Sequence, residues 1–413
     1  MIRLQPIRAL PIRLPLALAT VLTTALLSPA LLAHPNLEPT AQGAVQATLQ
    51  LDVRRLNVDS QTSASLPLAG VAPLRQDDWL YGRSGFGLRS NRTLYGQNID
   101  VEAAWAYSDQ EQKLLADHIR LGWQIQPQLR IDLGRMNPLP AEQPATWPVA
   151  DLLMQGLLGD DHWHADGAML QYGTTAQRLR VGAFRAPAYR GGQGQDAGQN
   201  ISNVALWSLG ANTTYRDVNV SAGLLHVPDL IRESTRDNSD VPLPHTHDTD
   251  ISACGRSLTC VDGNANLVWL GSRWKPTESA FSVAGYAMWR QERGVINGVN
   301  GLVDYQGDLY GGLVDVGYAW TDRLSMTVRA ETLSIQHEIK GLNARVVARD
   351  AGLLDNDVTP KRFGVLFSYA LPVMAQQRVT LNAAVIEDQT RPESELISSI
   401  GLVWRAEPTL WPR

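Results

Sequence analysis

The stretch GDDHWHADG, residues 159–167, places two imidazoles and several carboxylates within a few positions of one another. His162 and His164 are one residue apart, so in an extended chain both rings project from the same face, close to Asp161. Two imidazoles and a carboxylate form a donor set that Zn²⁺ or Cu²⁺ accepts. The same residues could instead supply the acid and base groups of a hydrolase, or belong to a solvated polar loop.

A second pair with the same spacing occurs in PHTHDTD, where His245 and His247 precede two aspartates. Four of the eight histidines therefore occur in two His-x-His pairs. Two such pairs indicate a metal site more strongly than either pair alone. The sequence thus gives a candidate site for zinc or another divalent transition metal, with a solvated loop as the alternative. Its residues are Asp161, His162, His164, His245 and His247.

The two cysteines, Cys254 and Cys260, lie in the polar stretch ACGRSLTCVDG. In an exported chain, a close pair of this kind predicts a disulfide that closes a small ring. A thiolate metal site that includes His245 and His247 is the alternative, and two free thiols are the third option.

Residues 1–33 have the composition of a cleaved signal peptide. A basic head with three arginines precedes the uninterrupted apolar run LPLALATVLTTALL, and small residues follow it. The run is too short for a comfortable membrane span. We therefore expect export of the chain and cleavage after Ala30 or Ala33.

The remaining chain lacks the charge and the motifs of several functional classes. Without the three arginines of residues 1–33, the formal charge of −5 becomes −8, which argues against a nucleic-acid partner. No other stretch approaches 18 consecutive apolar residues, which argues against a transmembrane helix. The motifs G-x-S-x-G and H-E-x-x-H and a Gly-rich phosphate loop are absent, so the sequence does not predict an enzyme.

Most of the sequence consists of short segments in which apolar and polar residues alternate. In HIRLGWQIQPQLRIDLGR, the residues Ile119, Leu121 and Trp123 alternate with polar or small ones, and the alternation resumes after QPQ. A period of two predicts strands, and the intervening proline predicts a tight turn. About sixteen such segments occur, with about 14 and 18 as bounds. They begin near residues 42, 81, 96, 116, 128, 166, 177, 203, 217, 264, 279, 306, 323, 361, 377 and 395.

The connections between these segments alternate between short and long. Such alternation is typical of an up-and-down barrel with tight turns on one rim and long loops on the other. A soluble β-sandwich, which is the alternative, has no reason to sort its loops in this way. The short links are at 126–128, 174–177, 215–217, 275–278, 320–323 and 371–377, and the long ones at 137–165, 187–202, 228–263, 291–305 and 338–360.

Aromatic residues and arginines indicate a barrel that spans a membrane. Trp274, Trp320, Tyr369 and Trp404 lie at strand ends next to the short links, and such rings collect at membrane interfaces. An arginine occurs on the polar face of nearly every strand, and a water-filled lumen would hydrate it. We therefore predict an all-β fold, a transmembrane antiparallel up-and-down β-barrel.

The signal peptide, the amphipathic strands, RIDLGR at residues 130–135 and a last strand with Ile400, Leu402 and Trp404 together resemble Gram-negative outer-membrane porins. The stretch LGRMNPLP is most similar to the phosphate-selective and siderophore porin groups. The resemblance covers residues 34–413 as a pattern. One departure is that nine residues, RAEPTLWPR, follow Trp404 as a short C-terminal tail, 405–413, whereas such barrels usually end on an aromatic residue.

The resemblance implies where the protein acts and what it contacts. It implies a cell outer-membrane location, short periplasmic turns, long extracellular loops, contact with lipid and lipopolysaccharide, insertion by the barrel assembly machinery, and a homotrimer as one assembly. It also implies passive uptake of small hydrophilic solutes. A sharper hypothesis adds divalent metal such as zinc to these solutes. The alternatives are a non-conducting receptor or adhesin and an outer-membrane hydrolase.

The long connection 137–165 has its own apolar content. Its Pro-rich start excludes a strand, and VADLLMQGLL has the pattern of a short helix. In porins a loop of this kind folds into the lumen and narrows it, and we predict the same here. An outward loop that packs on its neighbours is the alternative.

The polar faces of the strands are predicted to line the bore. Rings of arginine favour anions in a pore, and Asp132 and Glu331 would offset part of the positive charge. The alternative is a mixed-charge field across the bore, and acidic long loops would attract cations. The predicted lumen and selectivity residues are Arg120, Arg130, Asp132, Arg178, Arg180, Arg329, Glu331, Arg362 and Arg378.

Overall fold

A computed structural model of the chain describes most of residues 45–411. The described ranges are 45–58, 79–80, 84–108, 113–138, 147, 165–186, 204–233, 259–298, 300–350, 357–372, 377–389, 394–407 and 409–411. The predicted signal peptide, 1–33, lies outside them. Within these ranges, no helix is long and apolar enough to cross a membrane.

Sixteen long strands form one antiparallel sheet, as the period-two pattern predicts. Short paired segments at Trp79–Leu80, Asp357–Val358 and Thr409–Trp411 extend it. The strands are β1 (Val45–Val58), β2 (Gly85–Leu94), β3 (Gln97–Ser108), β4 (Lys113–Gln126), β5 (Leu129–Met136), β6 (Ala165–Gly173), β7 (Gln177–Ala186), β8 (Val204–Tyr215), β9 (Val218–Glu233), β10 (Thr259–Trp274), β11 (Phe281–Gly298), β12 (Gly301–Ala319), β13 (Leu324–Lys340), β14 (Lys361–Leu371), β15 (Gln377–Asp388) and β16 (Glu395–Ala406).

The sheet closes into a barrel because β1 has a partner on both sides. Val53 lies opposite Leu402 of β16, and Leu49 lies opposite Phe86 of β2. Closure satisfies the backbone hydrogen bonds that an edge strand would expose, which a membrane requires. The predicted fold class is confirmed.

The short connections lie together on one rim, because they join every second pair of neighbouring strands. One of the two-residue turns joins β2 to β3, where Tyr95 and Gly96 have φ angles of 51° and 78°. Two successive left-handed residues form a turn whose twist matches that of a hairpin. Arg216, between β8 and β9, also has a positive φ of 51°.

Two of the predicted long loops are shorter than expected. Residues 291–305 are mostly strand, since β11 continues to Gly298 and β12 begins at Gly301. These strands extend beyond the apolar belt, so their outward face is polar, while the inward face mixes the buried Glu292 with the buried Ile296 and Val303. The simple alternation that identifies a strand is therefore lost. The loop 228–263 also begins later, because β9 accommodates Pro228 at a register shift between Val227 and Leu230.

A short helix lies over the extended ends of β10 to β12. This helix, α1 (Ala344–Asp350), belongs to the connection between β13 and β14. Val347 and Ala348 pack in one buried apolar cluster with Val261, Ile296 and Val303 on the inward face of the strands. The helix therefore covers the long-loop mouth on that side of the barrel.

The outward face of the barrel is an apolar belt. Its side chains are exposed although they are large and hydrophobic, and they alternate along each strand with inward-facing residues. A closed barrel with such a surface is built to lie in a membrane, and short turns with longer loops are typical of outer-membrane barrels. Examples are Leu51, Leu121, Trp123, Leu170, Val181, Val283, Val314, Phe367, Val385 and Ile400.

The predicted C-terminal tail, 405–413, is partly strand. Arg405 and Ala406 complete β16, and Thr409–Trp411 pairs with the start of β1, where Trp411 lies opposite Val45. The tail therefore extends the seam between β16 and β1 rather than leaving the barrel at Trp404. The chain's last strand pairing reaches an aromatic residue close to the C-terminus.

Candidate solute path inside the barrel

A network of arginines and carboxylates lines the inward face of β3 to β7. The Arg120 Nη2 atom donates to Glu102 Oε2 at 2.6 Å and lies 3.5 Å from Asp100 Oδ2. Arg130 bridges Asp100 and Asp132 at 2.6 and 2.7 Å. These side chains come together because the ladder sets Arg120 opposite Glu102 and aligns Asp100 with Asp132 across Gly122.

The network continues to β7 through a neutral amide. Gln171 donates to Asp132 Oδ2, and its Oε1 atom accepts from Arg178 Nη1 at 3.1 Å. Arg180 follows on the same inward face, since its neighbour Val181 is exposed on the outside. We call the group Asp100, Glu102, Arg120, Arg130, Asp132, Arg178 and Arg180 the first charged wall.

A second set of ion pairs lies on β12 to β16 and β1, on the other side of the barrel. Arg329 forms a bidentate pair with Asp315, with both nitrogen–oxygen distances at 2.7 Å. Arg362 Nε donates to Asp388 Oδ2 at 2.8 Å, and Arg54 pairs with Asp52 on its own strand. We call the buried group Asp52, Arg54, Asp315, Arg329, Glu331, Arg362, Asp388 and Glu395 the second charged wall.

The predicted lumen arginines therefore do not form a row of uncompensated positive charge. All nine predicted lumen residues lie on inward-facing positions, but Arg120, Arg130, Arg329 and Arg362 each contact a carboxylate. Asp132 is the carboxylate that contacts Arg130. Arg378 lies at the short-turn rim, opposite Arg405 of the neighbouring strand. The pairing favours the mixed-charge alternative over a simple anion-attracting bore.

Trp147 belongs to the long connection between β5 and β6, of which residues 137, 138 and 147 are described, and it lies inside the barrel. Its exposure is only 3%. Its backbone carbonyl accepts from Arg54 Nη1 at 2.8 Å, and the Arg329 guanidinium carbon lies 4.8 Å from the centre of the indole. The ring packs with the inward-facing Leu56, Ile386 and other apolar residues of the same wall. The connection therefore enters the lumen at least as far as this residue.

The inward face between the two walls is largely apolar, and the buried ion pair between Arg290 and Glu292 of β11 lies on it. A continuous buried cluster runs from the end of β5 to β13 and includes Phe184, Leu225, Trp269, Leu309 and Leu333. Buried apolar side chains do not hydrate a solute, so charged and polar solutes are expected to follow the first charged wall, whose arginines reach water.

The predicted metal and disulfide residues cannot be placed. Asp161, His162, His164, His245, His247 and Cys254 lie outside the described residues, so the disulfide to Cys260 and the zinc site remain predictions. One carboxylate of GDDHWHADG is described: Asp166 begins the outward face of β6 and pairs with Arg135 at 2.9 Å. It is 55% exposed on its side chain and lies on the outer rim, not in the lumen.

Sequence reasoning missed several carboxylates that pair with the predicted arginines. Asp52, Asp100, Glu102, Asp315 and Asp388 all face inward like the arginines, and all but Asp388 alternate with outward-facing apolar residues. The alternation along each strand, which shows that these carboxylates face inward, is visible in the sequence. What the sequence alone does not give is the strand register, which sets Asp315 directly opposite Arg329.

Comparison with known proteins gives a fold match and no sequence match. Neither a protein-family model nor a curated protein matches the sequence. The outer membrane channel DcaP of Acinetobacter baumannii has a TM-score of 0.56 at 12% identity, over 91% of this chain and 100% of that one. In-vitro folded OmpT, an outer membrane protein of Vibrio cholerae, has a TM-score of 0.55 at 12% identity, with 91% and 100% coverage.

A further match is the trimer form of OmpT, with a TM-score of 0.53 at 10% identity, over 89% of this chain and 100% of that one. At such identities the likeness concerns the fold. It agrees with the closed ring of sixteen strands, the apolar outer belt and the charged inner walls described above. In its fold, the chain is a porin-like β-barrel, similar to those of these outer-membrane proteins.

Proposed function

We propose that the protein is an outer-membrane channel that passes small hydrophilic solutes by diffusion. The observation that supports this most directly is that the barrel is apolar outside and lined by charged groups on two sides of its interior. A barrel that served only as an anchor or an adhesin would not need two charged walls facing its interior. Charged groups at the bore replace part of the water that a hydrophilic solute loses on entry.

The two walls differ in formal charge, which creates a field across the bore. Among its described residues, the first charged wall has four arginines and three carboxylates, and the second has three arginines and five carboxylates. The walls lie nearly opposite each other, since β5 and β14 are seven strands apart by the shorter way around the ring. Dipolar and zwitterionic solutes are oriented by such a field, and apolar solutes of equal size gain nothing from it.

Liposome swelling tests this proposal. Vesicles that contain the refolded chain are expected to swell in isotonic solutions of small sugars and amino acids, and faster in glycine than in a neutral solute of similar size. Vesicles with heat-denatured protein serve as the control. Equal rates for glycine and the neutral solute would contradict the field across the bore. Absence of swelling with folded protein would favour the non-conducting receptor or adhesin, or the hydrolase.

The zinc hypothesis rests on the sequence alone. We propose that the two His-x-His pairs bind divalent metal at the long-loop rim, where solutes enter. Micromolar Zn²⁺ is then expected to alter channel conductance, and His162→Ala combined with His245→Ala to abolish that effect. Conductance that is indifferent to zinc would leave a general channel with solvated loops.

The oligomeric state is a separate proposal. We propose a homotrimer, which the trimer form of one structural neighbour supports by analogy of fold. Cross-linking in detergent micelles is expected to give a ladder that ends at three copies, and a ladder that ends at one copy would contradict it.

A further inference from the structure

The apolar belt has a hollow on the outward face of β10 to β14. Its floor consists of small residues on three neighbouring strands, where Ala287 lies directly opposite Gly312. Larger side chains border it, and those of Leu270 and Phe363 are 46% and 52% exposed. The hollow has a volume of about 740 Å³, which lies in the range of small-molecule binding sites. We call it the outer groove; its floor is Gly285, Ala287, Gly312 and Ala330, and its borders are Leu270 and Phe363.

Gly285 and Gly312 keep the outer groove open. A Cβ atom built on Gly285 would have no heavy atom within 4 Å, and one on Gly312 would meet only the backbone oxygen of Tyr286, at 3.1 Å. Any side chain at these positions would therefore extend into the groove. Glycine weakens a strand because it has no side chain to pack, and it often marks a place where a ligand approaches the backbone closely. An occupant of the groove accounts for two such residues on adjacent strands.

The outer groove lies in the half of the belt that is nearer the long-loop rim. Trp289 and Tyr310 lie opposite each other on the outward face, two positions from Ala287 and Gly312 respectively. Tyr318, at the other end of the belt, is six positions from Gly312. At a strand rise of about 3.3 Å per residue, the floor is therefore about 7 Å from the upper rings and about 20 Å from the lower one. Because such rings mark the two membrane interfaces, the groove opens toward the acyl chains of the leaflet on the long-loop side.

A cation lies at the edge of the outer groove. Lys361 begins β14 opposite Thr332, which itself lies opposite Gly312. Among the described residues, no carboxylate forms an ion pair with Lys361, and the nearby Glu387 accepts instead from Gln389 Nε2 at 2.8 Å. A lysine on the membrane face is costly unless its ammonium group reaches the interface. An anionic headgroup above the groove would neutralise it there.

From this geometry we propose that the outer groove binds an acyl chain of lipopolysaccharide, with a phosphate of the same molecule at Lys361. Lipopolysaccharide carries both acyl chains and phosphates in the leaflet that faces the long loops of an outer-membrane barrel. A flexible acyl chain adapts to the groove, whereas a second barrel would have to present a matching ridge. Since lipid chains are as apolar as the groove, selectivity comes from packing and from the pairing of phosphate with lysine. The site is on the outer surface, so the proposal does not depend on conduction through the lumen.

Native mass spectrometry of the refolded protein in detergent, titrated with purified lipid A, measures this binding. Lipid A is the acylated and phosphorylated anchor of lipopolysaccharide, and the unaltered protein is expected to bind one molecule saturably. Gly285→Leu fills the groove without touching a neighbour and should weaken binding by about tenfold, because it displaces several methylene groups. Ala383→Leu is the matched control, since Ala383 is exposed on the outward face of β15 but lies outside the groove. It is expected to leave the affinity unchanged.

Lys361→Gln tests the contact with the headgroup. It should weaken the binding of lipid A by about fivefold, the effect of one lysine beside an anionic lipid surface. Lys275→Gln is the matched control, because Lys275 is equally exposed but lies at the short-turn rim. Dephosphorylated lipid A is the control on the side of the ligand. The unaltered protein and Lys361→Gln are expected to bind it equally, since it has no phosphate to pair with the lysine.

Heat-modifiable migration shows which variants form a barrel, and Ala330→Leu fills the groove from a second strand. Unchanged affinity for lipid A in either folded filling variant would overturn the proposal. If neither folds, Lys361→Gln decides, and unchanged affinity in that variant would have the same meaning. Equal affinity of the unaltered protein for lipid A and for phosphatidylglycerol would also contradict the proposal. Loss of oligomers in Gly285→Leu with lipid A binding intact would assign the groove to contact between copies instead.

Discussion

The two charged walls of the lumen contain the same residue types but differ in their access to water. In the first wall, the side chains of Arg120 and Arg130 are 26% and 20% exposed. In the second wall, Arg329 and Arg362 are each 3% exposed. Ion pairs that face water act on passing solutes, whereas ion pairs that are withdrawn from water fix the position of other groups, here of Trp147.

This difference determines how each wall responds to substitution. A buried pair that loses one member leaves an uncompensated charge, which is costly in free energy of unfolding. Arg130 of the first wall is partly exposed, and its buried partners Asp100 and Asp132 keep contacts to Arg120 and Gln171 when it is lost, so the change is felt mainly in the field of the bore. The second wall is thus expected to control stability and the first to control selectivity.

The largest effect is expected at the second wall. Asp315→Ala leaves the buried Arg329 without its bidentate partner and should lower the free energy of unfolding by about 3–5 kcal/mol. Urea unfolding in detergent micelles, followed by the loss of the heat-modifiable band, measures this change. The double variant Asp315→Leu with Arg329→Met removes both charges and is expected to recover most of the loss. Equal destabilisation of single and double variants would show that charge is not the cause.

A smaller effect on stability, but a clear effect on selectivity, is expected at the first wall. Arg130→Gln should lower the free energy of unfolding by about 1–3 kcal/mol, because Asp100 and Asp132 lose a charged donor. Removing a cation from the bore should shift the zero-current potential in a KCl gradient toward cation selectivity. Arg135→Gln is the matched control, since Arg135 lies on the same strand but faces outward. A shift of equal size in both variants would contradict the assignment of Arg130 to the solute path.

The smallest effect is expected at the outer rim. The pair Arg135–Asp166 is exposed, with 36% and 55% of the side chains accessible. Arg135→Ala should therefore change the free energy of unfolding by about 0–1 kcal/mol, as for surface ion pairs in general. A loss comparable to that of Asp315→Ala would show that exposure is a poor guide to the role of these pairs.

The fold could be predicted well because the barrel's two surfaces demand opposite chemistry. Ile119, Leu121 and Trp123 lie on the outward face, while Arg120 and Gln124 face the lumen. This alternation can be recognised in a single sequence without an alignment. The prediction is wrong at 291–305 for the same reason. Beyond the apolar belt, the outward face of β11 and β12 is polar and the inward face holds both the buried Glu292 and the buried Ile296 and Val303, so the alternation no longer marks a strand.

The candidate site could be predicted only in part. The alternation along each strand identified which arginines face inward. The pairing of Arg329 with Asp315 and of Arg362 with Asp388 depends instead on strand register. The position of the Trp147 ring depends on the absence of a side chain at Gly364, which is more than 200 positions away in sequence. Such a contact leaves no local pattern, because it is set by closure of the barrel rather than by neighbours in the chain.

The most direct test of the proposed channel is single-channel recording of the refolded protein in a planar bilayer. The protein is predicted to insert and give discrete, long-lived conductance steps that disappear when the barrel is heat-denatured before addition. A barrel that is shown to be folded by its heat-modifiable migration, but that gives no steps, would contradict the channel and leave a non-conducting receptor or an enzyme.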